Sequence, residues 1–366
     1  MSIIENVLDA IAKKRPSSLL DPKLANTLYN TVPTDSAEFV GLNKIMGRKT
    51  SLTDTVKFTA LEPVKGLMNS VPMGTRTPVK GKQARQSEQK ITVRWAESNV
   101  FSPTEIQQIE LAVRNGSPDA EIKLAAEEVI NAIVALKYKR DCSFEKVFWD
   151  GCYQQSMYVP QEIDNVASYR YITTDTRTLT DLAGNFRWNI AAASSTADVT
   201  SDVRAMKRSY SGKGTELETI YMNQLDFDYA TTTANATTGM RPTYSQTTLK
   251  LESESLVDGI NVAGVKLRVY DANWITTAGT STKYIPNGYI IGVAKKMNGR
   301  SHANLYNALN IDGKLLNNGN GVPVYGSFFR TKTGEENDSP STRLVLTHCG
   351  SPVFDNPQAF ARLKVY

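Results

Sequence analysis

The stretch from Phe101 to Arg140, FSPTEIQQIELAVRNGSPDAEIKLAAEEVINAIVALKYKR, constrains this chain most, because it carries a helical signal twice in succession. Ser102, Pro103 and Glu105 form a start signal: a serine cap, a proline at the first helical position and a glutamate placed to close a capping box. Ile106, Ile109 and Val113 then fall on one face before Gly116 interrupts the run. Ser117-Pro118-Asp119 restarts it, and Ile122, Ala126, Val129, Ile133 and Leu136 hold a three-four spacing over several turns. Glu121, Lys123, Glu127 and Glu128 lie largely off that face. A helix from Asp119 to about Cys142, roughly 24 residues at ~1.5 Å each, would reach ~36 Å. That exceeds what an ordinary domain core needs. Such a helix is either a plain amphipathic core helix or a spine that joins several modules.

At 366 residues the chain is longer than one hydrophobic core usually serves, so two or more lobes are expected. An apolar share of 40% with 22% charged residues fits a soluble folded protein, and no apolar run approaches the ~18 residues of a membrane span. The N-terminus, MSIIENVLDAIAKKRP, places acids before bases, unlike a secretory signal; Ile3, Val7, Leu8 and Ile11 make a short amphipathic patch instead. Cys142, Cys152 and Cys349 are an odd count without metal-ligand spacing, as expected of free, mostly buried thiols in a reducing compartment. The net charge of +5 is unevenly placed. Lys65, Arg76, Lys80, Lys82, Arg85 and Lys90 stand between Pro63 and Lys90 against the single acid Glu88. Such a patch suits phosphates or an acidic protein surface, but lacks the aromatics that base stacking needs.

In chain order, residues 1 to 50 read as an arm with little core of its own, broken at Arg15-Pro16-Ser17-Ser18 and Val32-Pro33-Thr34-Asp35. Asp54–Glu62 and Gln89–Ala96 read as two strands, joined by a polar connection rich in Gly and Pro, which suggests a long two-stranded projection. Ser143-Phe144-Glu145-Lys146 reads as the cap of a further turn or two ending near Gly151, and 154 to 195 as mixed, with a turn at Asp181-Leu182-Ala183-Gly184. Ala191–Thr196 reads as a linker and Asp198–Tyr210 as a helix capped near Thr196 or Thr200 and stopped by Gly212. Glu216–Met222 is an expected strand, Asn223–Ala234 a helix led by Asn223, and 235 to 246 a loop. Strands are expected at Val265–Tyr270, Tyr289–Val293, Arg343–His348 and Phe360–Val365, with a tip at Thr276–Thr282 and a loop at Asn310–Val322. Ile285-Pro286-Asn287-Gly288 is a turn in which proline fixes one dihedral and Asn-Gly accepts positive φ.

The chemistry is sparse. Of two histidines, His302 and His348, neither stands in a ligand pattern, and His348 beside Cys349 in a strand points to the opposite face. No GxSxG and no phosphate loop occurs, Gly288 and Gly292 included. Glu127/Glu128 on a helix and Glu335/Glu336 in an expected loop do not converge as paired carboxylates. The expectation is a protein that is not an enzyme and carries no catalytic residues, cofactor or metal.

The order of elements carries a resemblance. VKLRVYD (Val265–Asp271) followed by KYIPNGYIIG (Lys283–Gly292), Ser351-Pro352-Val353 followed by Asn356-Pro357-Gln358-Ala359-Phe360, and Phe186-Arg187-Trp188-Asn189 before Asp198-Val199 and Asp202-Val203 are each modest motifs. Together with the arm, the basic loop and the spine, they resemble the major capsid (head) protein of tailed double-stranded DNA bacteriophages, and most of all its lambda-type members. Val199 stands where that pattern usually has proline.

The resemblance implies an α+β, Hong Kong 97-type capsid fold. Residues 1–50 would be the N-terminal arm, 51–96 the extended E-loop, 97–195 with 329–366 the peripheral domain built on the spine, and 196–328 the mixed α/β axial domain. It further implies a virion protein, assembled in the host cytoplasm into pentamers and hexamers of itself. Scaffold, portal and decoration proteins would be partners, with double-stranded DNA on the inner face and no membrane. Arg76, Lys80, Lys82 and Arg85 would make inter-subunit contacts from the E-loop. Some members crosslink through lysine and asparagine, but no motif marks an asparagine here and no crosslink is expected. An encapsulin-type compartment shell or a basic nucleic-acid-binding protein would fit the same elements less well.

Overall fold

The computed structural model describes residues 25–26, 29–30, 38–51, 55–59, 87–91, 93–101, 104–105, 119–163, 166–190, 197–211, 215–232, 260–276, 279–297, 299–310, 326–336 and 339–366. The basic connection at 60–86, most of the first expected helix (106–118), the linker at 191–196, the loop at 235–246 and nearly all of 310–322 lie outside them.

Residues 38–46 run into the core, with Phe39, Leu42, Ile45 and Met46 buried around a π-helical turn at Gly41–Ile45, and β1 (Gly47–Ser51) follows. The two runs read as a projection do pair: β2 (Thr55–Thr59) and β3 (Ser87–Ile91) are antiparallel, Thr55 opposite Ile91 and Thr59 opposite Ser87. The strand expected over Gln89–Ala96 is two strands, because β4 (Val93–Phe101) leaves the hairpin for another sheet.

The spine helix, α1 (Asp119–Tyr153), is 35 residues long, or ~52 Å at ~1.5 Å per residue, and does not stop near Cys142. Ser143 does not cap a new turn; its hydroxyl donates back to the Lys139 carbonyl at 2.9 Å, a bond that lets a serine sit inside a helix. Val129, Ile133 and Leu136 keep the expected face, and beyond Asp141 nearly the whole circumference is buried, Phe144, Phe148 and Trp149 included.

After α1 come β5 (Ser156–Ile163) and β6 (Val166–Thr173), an antiparallel hairpin where the sequence reads only as mixed, then β7 (Arg177–Thr178). Helix α2 (Val199–Tyr210) is capped by Asp198, whose side chain accepts from Ser201 N at 3.1 Å, rather than by Thr196 or Thr200. Strand β8 (Leu217–Met222) and α3 (Gln224–Thr232) follow, the latter led by Asn223 as expected. Next are β9 (Ile260–Val262), β10 (Val265–Val269), the short hairpin β11 (Asn273–Ile275) with β12 (Ser281–Lys283), and β13 (Tyr289–Ala294). The chain closes through β14 (Ala303–Ala308), β15 (Gly326–Glu336), β16 (Ser339–Phe354) and β17 (Phe360–Lys364). Glu335 and Glu336 therefore lie in a strand, opposite Pro340 and Ser339, and not in a loop.

Two larger sheets organise these elements. In one, β16 pairs with β15 and β4 up to Cys349 and Gly350 and with β14 from Gly350 to Phe354, while β1 runs parallel to β14 at the edge. The other has the order β7-β17-β13-β8-β10-β9, so the closing strand joins the sheet of the middle of the chain. Phe148 links them: it stacks on Phe354 at 5.5 Å and meets Phe360 edge-on at 5.7 Å.

Each resembling motif has a structural task. Gly288 adopts φ +84° in the turn before β13, and its N–H donates to Asp226. Trp188 is buried and donates its indole N–H to Asp202 at 2.9 Å. Pro357 opens the 3-10 turn Pro357–Ala359 that delivers buried Phe360 into β17.

Candidate assembly interface

The residues expected to carry contacts between subunits, Arg76, Lys80, Lys82 and Arg85, lie outside the described residues. Their mount is described. β2 and β3 pair only with each other among the described strands, and β3 passes at once into β4. β4 is held firmly: nine of its positions pair with β16, Trp95 donates to the Gly350 carbonyl at 2.9 Å, and Asn99 donates to Ala132 O of α1 at 3.1 Å. The hairpin is a two-stranded ribbon rooted in a packed sheet.

Apolar side chains remain on the outside beside this root. Leu124 on α1 is 63% exposed, with Val134 and Tyr138 on the same helix and Val100 on β4. Ile275, at the end of β11 in the small hairpin, is 74% exposed, and Phe186 is also exposed. Single exposed apolar residues are ordinary. Periodicity leaves Val134 off the apolar face that carries Ile133, and nothing else in the sequence marks these residues out.

Three buried polar nodes fix the elements that carry these surfaces. Glu145 of α1 is fully buried and accepts from Gly41 N (2.7 Å), Leu42 N (2.8 Å), Trp149 Nε1 (2.7 Å) and Tyr270 Oη (2.7 Å). One carboxylate thus ties the 38–46 segment, the spine and the end of β10 together. Burial pushes this carboxyl above its usual range, and the donors oppose that shift. At the second node, Ser327 Oγ accepts from Tyr29 Oη (2.7 Å) and Arg140 Nη1 (3.0 Å) and lies 2.7 Å from His348 Nδ1. Burial, with the Arg140 cation beside it, holds His348 well below the usual imidazole range, so the ring is neutral. This serine is saturated by partners and its histidine is buried, so the pair pins Tyr29 rather than offering a nucleophile. Asn26 adds a two-way clasp on the backbone of Phe329 at 3.0 and 3.1 Å. The third node joins Lys49, Asn304 and Tyr306 around Asp355, Asn304 donating at 2.8 Å and Lys49 forming an ion pair.

Among the described residues no group of His, Cys, Asp and Glu is arranged to hold a metal, and no helix is long and apolar enough to cross a membrane. The three cysteines are free thiols, Cys152 buried and the others half-buried.

The chain matches a family model described as phage major capsid protein E over residues 29–365. No curated protein matches it. Among solved structures it is similar to an E. coli CFT073 protein described as a prophage capsid protein: TM-score 0.52, 10% identity, 77% of this chain and 80% of that one. It is also similar to a phage-related protein of Bordetella bronchiseptica RB50, with a TM-score of 0.51 at 12% identity over 95% and 97% of the two chains. At such identities the likeness is one of fold.

Proposed function

The chain belongs to the phage major capsid protein E family, with the α+β Hong Kong 97-type fold and a structural, shell-forming role in the virion, and we propose that the β2–β3 ribbon is the device by which one subunit fastens the next. The observation that carries this reading is the ribbon's isolation: it pairs with no other strand among the described residues. Two strands alone are marginal in water, so the ribbon needs a covering surface. A neighbouring copy in a closed shell supplies one at every position, and symmetry multiplies a modest contact. Arg76, Lys80, Lys82 and Arg85, in the connection between β2 and β3, then meet an acidic face of that neighbour.

In this reading residues 1–50 form the arm, 51–96 the E-loop, 97–195 with 329–366 the peripheral domain and 196–328 the axial domain, grouped as pentamers and hexamers. A scaffold and a portal assist closure in the host cytoplasm, a decoration protein is a further partner, and double-stranded DNA fills the interior. The test is a Lys80→Ser/Lys82→Ser/Arg85→Ser variant, followed by velocity sedimentation and negative-stain microscopy. A folded subunit that no longer forms normal shells is the expected result. Normal shells from the triple variant would remove the basic loop from the assembly mechanism.

A further inference from the structure

The end of α2 holds more positive charge than its fold requires. Arg204, Lys207 and Arg208 fall on one side of the helix at three-four spacing and line a cleft of about 490 Å³ with Tyr210, Thr215 and Glu216. Lys207 and Arg208 in the last turn complement the helix dipole. That does not account for Arg204, whose like-charge neighbour four residues on is unfavourable. Among the described residues neither guanidinium has an ion-pair partner, and Lys207 reaches only the Ala263 carbonyl, at 3.3 Å. Glu216 is the one acid in the lining.

One buried polar atom of the cleft also lacks a partner. Thr215 Oγ1, in its wall, is buried without a hydrogen bond. Buried polar atoms are nearly always satisfied, so an unpaired hydroxyl in the wall of a cationic cleft points to a missing acceptor. Three lining cations against one acid leave an excess of two charges, which suits a phosphate better than a single carboxylate. Guanidinium forks match phosphate oxygens two at a time.

We propose that the cleft between the end of α2 and the start of β8 is a phosphate-binding site, with Arg204 and Arg208 as the clamping forks, Lys207 as a third charge and the Thr215 hydroxyl as an added donor. Phosphate can come from a nucleic-acid backbone or from a free phosphate or nucleotide, and the test separates them. Purified full-length protein is titrated with a short double-stranded oligonucleotide by fluorescence anisotropy across about 50 to 200 mM salt. In parallel it is titrated with inorganic phosphate by calorimetry. Wild type is compared with Arg204→Ser/Arg208→Ser, and with Thr215→Ala, which keeps every charge.

If the source is nucleic acid, the double variant binds the duplex about tenfold or more weakly and its salt slope falls by about 2, one for each lost phosphate contact. If the source is a small phosphate, inorganic phosphate binds wild type and not the double variant, while duplex binding is the same in both. In either case Thr215→Ala weakens binding without changing the slope. The proposal is overturned if wild type binds neither probe, or if the double variant binds both like wild type. It does not depend on the ribbon, and the double variant is expected to form shells.

Discussion

Glu145 offers the sharpest test of how the subunit is held together. Replacing it with alanine strands three buried donors, Gly41 N, Leu42 N and Trp149 Nε1, each now bonded at 2.7 or 2.8 Å. Tyr270 escapes this fate, because its hydroxyl also lies 2.7 Å from the Glu38 carbonyl and can turn to it. Each stranded donor costs about 1–3 kcal/mol, and relief from burying the carboxyl offsets part of that. A net loss of about 3–5 kcal/mol is expected, the range for breaking a buried charged partnership from one side. Glutamine separates the geometry from the size. With its oxygen in the Oε1 position it still serves Gly41 and Trp149, and only Leu42 N faces an amide, so Glu145→Gln should lose about 1–3 kcal/mol. Urea unfolding of the unassembled subunit gives both values, and hydrogen exchange at the Gly41 and Leu42 amides reports the local effect. In the alanine variant these two amides should lose protection beyond the change in global stability. Equal losses for alanine and glutamine, or unchanged protection at Gly41 and Leu42, would refute the idea that this carboxylate holds the 38–46 segment to the spine.

Other measurements probe separate parts of the fold. A Cβ on Gly350 would meet the Tyr306 carbonyl oxygen at 2.4 Å, so Gly350→Ala should destabilise by about 3 kcal/mol; at Gly292 the closest atoms are the side-chain ends of Met206 and Leu217, and the same change should cost about 1 kcal/mol. Reversing that order in a denaturation series would discredit the packing argument. Asp226 is buried against the Gly288 N–H and Asn223, and burial pushes its carboxyl up from 3.8 to about 6. The native state then binds this proton more tightly than the unfolded chain, so its contribution to stability falls as pH rises from about 4 to 6, by about 3 kcal/mol, and is flat above. Asp226→Asn should flatten that segment of the stability profile; an unchanged profile would assign the pH dependence elsewhere. Cys152 is fully buried and burial pushes its thiol well up, while Cys142 is raised to about 11. Neither should react quickly with a thiol reagent at pH 8 in the native protein, and both should on unfolding; rapid native labelling of Cys152 would contradict its burial.

The elements that were legible in the sequence are those whose side chains repeat against a polar face or whose turns have a chemical reason. The Asp119–Leu136 face, the Ile285–Gly288 turn and the strands at Leu217, Val265 and Tyr289 all emerged that way. What stayed hidden is buried on both sides. β14 hides Asn304 and Tyr306 among its apolar neighbours, whereas the strand expected at Arg343–His348 is present within β16, whose extension through buried Ser351, Val353 and Phe354 the sequence did not mark. The second half of α1 fails for the same reason: with Asp141, Glu145 and Asp150 inside the protein, polar residues no longer mark an outer face. Ser143 then reads as a cap because a cap and a back-bonded serine use the same hydroxyl. The candidate site divides along the same line. The charge of the 60–86 connection can be counted in the sequence, but its root depends on β4 pairing with a strand some 250 residues away, which no local pattern contains. Buried carboxylates such as Glu145 are the extreme case, because a residue type that ordinarily reports solvent here reports the junction of three segments. The polar residues that most determine this subunit's shape are therefore those a hydropathy reading places outside it.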